Sequence, residues 1–167
     1  MRDGNKTSVI TDFKYEIIKR MYETPDIIEL LDCDEVDPEQ PDTAEWTCIF
    51  PYIKVPGIQE KVQNFIGVKV DSLGESDNPL YKDMEVIISV ICATSTLQVE
   101  GQKGIRTDIL GGDIVELLNG NDTFGFAFHL AEEAEGVFEN LNYYYRNLRF
   151  EALSNNNSRC GVRRYQR

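Results

Sequence analysis

The sequence is poor in the residues that most catalytic and metal sites need. Its 167 residues include one histidine, one tryptophan and four cysteines. His129 is therefore the sole candidate base for a Ser-His-Asp or Cys-His arrangement, and with no G-x-S-x-G nearby we expect it to be an ordinary sheet residue. The cysteines at 33, 48, 92 and 160 lack C-x-x-C spacing and are too sparse for a disulfide scaffold. We expect reduced thiols in a cytosolic protein.

Long apolar runs and phosphate-binding loops are also missing. No run approaches the roughly 20 residues of a membrane span, and the N-terminus leads into no apolar signal segment. The glycines at 101, 104, 111 and 112 fit neither G-x-x-x-x-G-K-[ST] nor G-x-G-x-x-G. We therefore expect no membrane partner, no cofactor, and no catalytic or metal-binding residues.

A metal-dependent hydrolase is an alternative, because carboxylates cluster at Asp32, Asp34 and Asp37. A calcium-binding EF-hand loop needs oxygen ligands at its first, third and fifth positions and a glycine at the sixth. Val36 holds the fifth position here and Asp37 the sixth, so the spacing does not predict a calcium loop. We expect a protein that is not an enzyme.

Positive charge is absent from a long stretch of the chain. Residues 21–53 contain ten acidic groups and no lysine or arginine, whereas residues 146–167 contain six arginines and one glutamate. The formal net charge of −12 argues against a duplex-binding surface, so we expect no sequence-specific nucleic-acid binding. The two unlike patches predict a contact between copies of the chain. A solvated acidic loop and a frayed tail are the alternative.

Hydrophobic periodicity predicts an α+β fold with a mostly antiparallel four-stranded sheet and helices packed on one face. The predicted helices are 9–22, 25–31 and 107–119, and the predicted strands are 65–71, 83–93, 124–130 and 143–152. Gly111 and Gly112 fall inside the third helix, where they weaken it and permit something to pack closely. We expect a single domain over 1–153 with an acidic loop over 32–45, followed by a basic C-terminal tail over 154–167.

Aromatic and apolar residues at unusual places predict a protein-protein interface. The Pro-punctuated segment 46–56 suits an edge strand or an arm laid across a neighbour, although a loop covering its own core is equally compatible. The strand 83–93 is apolar on both faces, so it is either central in the sheet or covered by a partner chain. The candidate interface residues are Trp46, Phe50, Tyr52, Ile87, Ile91, Tyr143, Tyr145, Arg163 and Arg164.

The order of these features resembles that of neck proteins of tailed bacteriophages, and the tail terminator in particular. It comprises an N-terminal helix, the segment 49–56 (Ile-Phe-Pro-Tyr, then Val-Pro), two long strands split by an acidic connection over 78–83, a single helix and a closing strand pair. The resemblance implies a hexameric ring that caps the tail tube, with the tail tube protein and the head-tail connector protein as partners. It also implies a virion protein made in the host cytoplasm, with DNA passing through the ring.

Two other functions fit the same pattern. One is a neighbouring head-completion or connector protein of the same neck. The other is a non-viral protein-interaction module of the same α+β class.

Overall fold

The computed structural model describes residues 9–57, 61–75, 81–120 and 128–155. These residues form three α-helices and five β-strands, with short 3-10 helices over 41–44 and 94–96. The helices are α1 (Val9–Tyr22), α2 (Pro25–Leu31) and α3 (Arg106–Leu118). The strands are β1 (Ile49–Phe50), β2 (Phe65–Glu75), β3 (Tyr81–Ala93), β4 (Phe128–Phe138) and β5 (Tyr143–Asn155).

The helices lie where the 3.6-residue period predicts them. α1 buries Phe13, Ile17 and Met21 on one face, and α2 ends where Asp32 takes a left-handed conformation at φ 50°. α3 is displaced by one residue from its predicted range and is followed by Gly120 at φ 71°. None of the helices in the described part of the chain is long and apolar enough to span a membrane.

The five strands form one mixed sheet in the order β1-β2-β3-β5-β4. β1 is parallel to β2, and the other neighbouring pairs are antiparallel. The prediction of four strands therefore missed β1, which has only two residues and cannot show alternation. β3 lies between β2 and β5, which explains why both of its faces are apolar.

The fourth strand differs most from its prediction of 124–130. The described strand runs from Phe128 to Phe138, and residues 124–127 lie outside the described residues. Its acidic part, Glu132 to Glu135, lacks the apolar alternation from which a strand is predicted. β4 is an edge strand that is exposed on both faces over most of its length, so the usual alternation is not required. His129 lies exposed on this strand opposite Glu151, as an ordinary sheet residue.

The two faces of the sheet have different environments. One face carries the buried residues Val68, Ile88 and Leu148 on three adjacent strands, and α1 and α3 pack against it. The rings of Phe13 in α1 and Phe128 in β4 stack there with centroids 5.4 Å apart. We call the opposite side of the sheet the open face.

A buried polar cluster ties α2 to one end of the sheet. The Asn64 amide donates to the carbonyl of Leu31 (3.1 Å), and its oxygen accepts from the backbone N–H of Ala93 (3.1 Å). Arg106 donates to the carbonyl of Leu30 and, through Nε, to that of Thr96 (2.7 Å). These donors satisfy carbonyls at the C-terminus of α2, where positive charge is also favourable.

Candidate functional site

The segment 46–57 forms the β1 edge of the sheet and then crosses the open face. The Trp46 N–H donates to the carbonyl of Ile49 (2.9 Å) in a turn that leads into β1. Beyond β1 the chain passes over β2 at Gly67, where a Cβ would lie only 2.7 Å from the Tyr52 carbonyl oxygen. Lys14 Nζ fixes this crossing by donating to the carbonyl of Pro51 (2.7 Å). The segment is thus an edge strand followed by an arm over its own sheet.

A row of aromatic rings connects this arm to the core. The ring centroids are 6.3 Å apart for Trp46 and Tyr52, 5.6 Å for Tyr52 and Phe50, and 6.1 Å for Phe50 and Phe65. Tyr143 continues the row, 6.1 Å from Phe65. Exposure decreases along the row from Trp46 towards Tyr143. Trp46 is 57% and Tyr52 46% exposed, whereas Phe50 and Tyr143 are each 5% exposed. The core therefore supports two rings that face solvent.

Exposed apolar side chains lie at both edges of the sheet. Trp46 and Tyr52, whose ring centroids are 6.3 Å apart, form what we call the β1 edge patch. Val55, farther along the arm, is 62% exposed. Val137, 50% exposed, lies on β4 at the opposite edge. Within the described residues β5 is the only strand that pairs with β4, and Asn119 bridges to Phe128 at the start of β4. A long unpaired edge with an apolar residue is a surface that a second chain can cover.

The remaining predicted interface residues within the described chain lie on the open face. Ile91 is buried at 1% exposure, and Ile87 is half-buried between charged neighbours on the flanking strands. Tyr145 is half-buried over Gly136, where a Cβ would meet its hydroxyl oxygen at 2.5 Å, and its ring lies 5.0 Å from that of Phe138. Tyr145 and Phe138 therefore cover the open face where β4 and β5 pair.

The predicted interface residues within the described chain differ in exposure, and Ile87 and Tyr145 are half-buried. Phe50, Ile91 and Tyr143 are buried within the chain, so a partner reaches them only through the residues that cover them. Trp46 and Tyr52 are directly accessible. An interface role for all of these residues stays a prediction, and the predicted residues 163 and 164 lie outside the described residues.

Two arginines counted in the basic C-terminal part of the sequence are paired within the chain. Arg149 lies 3.2 Å from Glu85, 3.2 Å from Glu132 and 3.0 Å from Glu151 on the open face. Arg146 bonds Asp108 (2.8 Å) and Glu133 on the helix-covered face. Of the six arginines in residues 146–167, the four in residues 156–167 therefore remain as the positive charge that a partner could contact.

A family model named YomW matches residues 15–152. The chain belongs to the YomW family. This is a phage-associated family. A search of curated proteins found no match for this YomW-family chain. A solved chain titled "Virion of native gene transfer agent (GTA) particle" is similar at 15% identity and a TM-score of 0.45, over 84% of the YomW-family chain and 98% of the other.

The clustered aspartates of the YomW-family chain have separate partners. Asp32 lies 3.6 Å from Arg106, and Asp34 lies 3.8 Å from Lys61. Asp37 accepts a hydrogen bond from the backbone N–H of Glu39 (2.9 Å). Across the described ranges, no group of three or more His, Cys, Asp or Glu side chains is placed to hold a metal ion.

An acidic groove of about 630 Å³ lies between the α1-α2 corner and the loop that follows α2. Tyr22, Ile28 and Val36 contribute its apolar floor. Glu23 and Glu29 stand at its rim. The acidic residues of this YomW-family protein are evident from its sequence. The groove and the exposure of Val55 and Val137 are not, because they depend on how distant elements pack.

Proposed function

We propose that this chain is a structural protein of the virion neck: a ring-forming tail terminator that caps the tail tube and joins it to the head-tail connector. Membership of a phage-associated family supports a role in a phage particle. The order of helices and strands supports the tail terminator, by resemblance. The proposed partners are other copies of the chain, the tail tube protein and the connector protein.

The observation that carries this proposal is the presence of exposed apolar residues at both edges of one sheet. A closed ring needs heterologous contacts, in which two different surfaces of each copy meet. The β1 edge patch and the unpaired β4 edge around Val137 are two such surfaces, and the sheet order separates them by three strands. A dimer with twofold symmetry would need only one self-complementary patch.

The exposed rings at the β1 edge also suit this role energetically. Trp and Tyr are enriched among the residues that contribute most to binding energy at interfaces, because they bury a large area with little conformational freedom to lose. Here the Tyr52 ring packs against Phe50, and the Trp46 ring packs against Tyr52. The rings are thus held before any partner binds. Such preorganisation lowers the entropic cost of association.

Deleting the gene from the phage or prophage that encodes it tests the proposal. We expect particles whose tails are not joined to heads and whose tubes are not capped, with both restored by a plasmid copy. If the deletion leaves joined, infectious particles of normal tail length, the proposal is wrong. If tails are capped normally but heads lose their DNA, the neighbouring head-completion role replaces it.

A further inference from the structure

The acidic groove has the dimensions and lining of a peptide-binding site. Its volume of about 630 Å³ lies within the range of about 300–1,000 Å³ that is usual for ligand pockets. Tyr22, Ile28 and Val36 offer apolar contact, and carboxylates surround them. The fitting ligand is therefore a segment that combines apolar side chains with positive charge.

Two of the carboxylates that line the groove are neutralised inside the chain, because Asp32 lies 3.6 Å from Arg106 and Asp34 lies 3.8 Å from Lys61. The remaining negative charge belongs to the two glutamates of the rim. Glu29 is exposed and has no ion pair among the described residues, and Glu23 is joined only to Lys19 at 3.8 Å on the outer surface of α1. The pKa of Tyr22 in the floor is raised, first by burial and then by the charges of Glu45 and Glu23. The groove thus carries a negative potential that a cationic segment would relieve.

The chain itself contains a segment of the required chemistry. Residues 156–167 hold four arginines and no acidic residue, together with Val162 and Tyr165. Arg163 and Arg164 lie directly between these two apolar residues. Apolar and cationic residues are therefore neighbours in this segment, and they complement the apolar floor and the acidic rim of the groove.

The backbone from Asn155 to the arginine pair is shorter, even when fully extended, than the strand that separates Asn155 from the groove of the same copy. β5 ends at Asn155, opposite Tyr81 at the start of β3, whereas the groove lies at the other end of β3, where Asn64 joins Leu31 to Ala93. The 13 residues of β3 span about 40 Å at roughly 3.3 Å per residue. From Asn155 to residue 163 the chain reaches at most about 29 Å when fully extended. The segment of a neighbouring copy is not limited by this length, because its β5 can end close to the groove.

We infer that the acidic groove of one copy binds the C-terminal segment 156–167 of a neighbouring copy. Arg163 and Arg164 pair with Glu23 and Glu29, while Val162 and Tyr165 contact the apolar floor. Each copy then both donates a segment and accepts one, which is a heterologous contact of the kind that closes a ring. The inference rests on the proposed function in that it needs a neighbouring copy.

Reversing the charges of the groove and of the C-terminal segment, separately and together in the full chain, tests this contact. The groove variant is Glu23→Lys with Glu29→Lys, and the tail variant is Arg163→Glu with Arg164→Glu. The control variant, Glu100→Lys with Glu116→Lys, makes the same charge change at exposed positions that do not line the groove. Light scattering at about 0.1 M salt measures association, and thermal unfolding verifies that each variant is folded.

We expect the groove and tail variants each to weaken association about tenfold, the control to leave it unchanged, and the combined groove-and-tail variant to recover most of the loss. Equal effects of the groove and control variants, or no recovery in the combined variant, would overturn the inference and leave the ring proposal standing. If the wild-type chain is monomeric, the ring proposal fails, and a labelled peptide of residues 154–167 tests the groove separately by fluorescence anisotropy. Binding that the groove variant abolishes supports the inference, and absence of binding contradicts it.

Discussion

The side chain of Arg146 in β5 lies directly against Gly111 in α3, and a Cβ at position 111 would approach its Cδ to 2.8 Å. From there its guanidinium reaches Asp108 on the same helix and Glu133 on β4. The glycine therefore lets one arginine connect the helix layer to the outer edge of the sheet. At the adjacent Gly112, by contrast, a Cβ would meet no atom within 4 Å.

Alanine substitution of these two glycines should have opposite effects on stability. Gly112→Ala should raise the free energy of unfolding by about 0.5–1 kcal/mol, because alanine favours the helix and the space is open. Gly111→Ala should lower it by about 1–3 kcal/mol, because the methyl group displaces Arg146 and its ion pairs. Urea denaturation followed by circular dichroism measures both. Equal stabilisation by the two substitutions would show that the Arg146 contact is unimportant.

Asn64 should be among the most sensitive polar positions. It is 2% exposed and bonds Leu31, Ala93 and the hydroxyl of Thr96 (2.7 Å). Asn64→Ala leaves buried donors and acceptors unpaired, so the free energy of unfolding should fall by about 2–4 kcal/mol. Gln102→Ala, at an exposed position, serves as the control and should change it by less than about 0.5 kcal/mol. A loss at Asn64 no larger than at Gln102 would contradict the role assigned to the polar cluster.

The buried thiols should make the protein less stable in alkaline solution. Burial raises the pKa of Cys92 from 9.0 to about 12, and burial also raises that of Cys48. Between these values the unfolded chain loses a thiol proton that the folded chain keeps, so the stability present below about pH 9 is lost as the pH rises. Cys92 alone should contribute a fall of about 1 kcal/mol between pH 9 and pH 10.

Urea denaturation of the wild type and of Cys92→Ala at both pH values checks this prediction. The variant lacks the titrating group, so its free energy of unfolding should fall less over the interval, whatever its absolute stability. Identical slopes for the two proteins would exclude a contribution from Cys92.

Charged substitutions at the two sheet edges should weaken association without unfolding the chain. Trp46→Lys and Val137→Lys each place a charge in a surface that we propose to be buried between copies, so we expect about tenfold weaker association from each. Gln102→Lys is the control, because Gln102 is exposed in the loop before α3 and belongs to no strand of the sheet. Analytical ultracentrifugation measures the three variants. An effect of Gln102→Lys as large as the other two would indicate general charge repulsion instead.

Periodicity predicted the elements that have one buried face. α1 has the predicted bounds because Phe13, Ile17 and Met21 follow the helical period, and β3 has the predicted end at Ala93. The edge strands could not be predicted in this way. β1 exists only because Ile49 pairs with Ile66 across the sequence, and β4 is exposed on both faces.

The candidate site was predictable in composition but not in geometry. Trp46 and Tyr52 stood out as aromatic residues in a Pro-punctuated segment, and both are exposed. Phe50 and Tyr143 are buried by contacts between distant segments that no local pattern records: Lys54 of the arm lies 4.6 Å from the Phe50 ring centroid, and the Tyr143 ring packs against Phe65. Likewise, the pairing of Arg146 and Arg149 with acidic side chains removes them from the basic surface that the charge count suggested.

Light scattering of the purified full chain, alone and mixed with the tail tube protein, measures whether the chain forms the proposed ring. We expect a discrete assembly, of about 115 kDa for six copies of 19.1 kDa, at about 0.1 M salt. As salt approaches 1 M, where the screening length falls to about 3 Å, the assembly should dissociate already at higher protein concentrations. A mass of 19.1 kDa at every protein and salt concentration, with and without the tube protein, would show that the chain forms no ring.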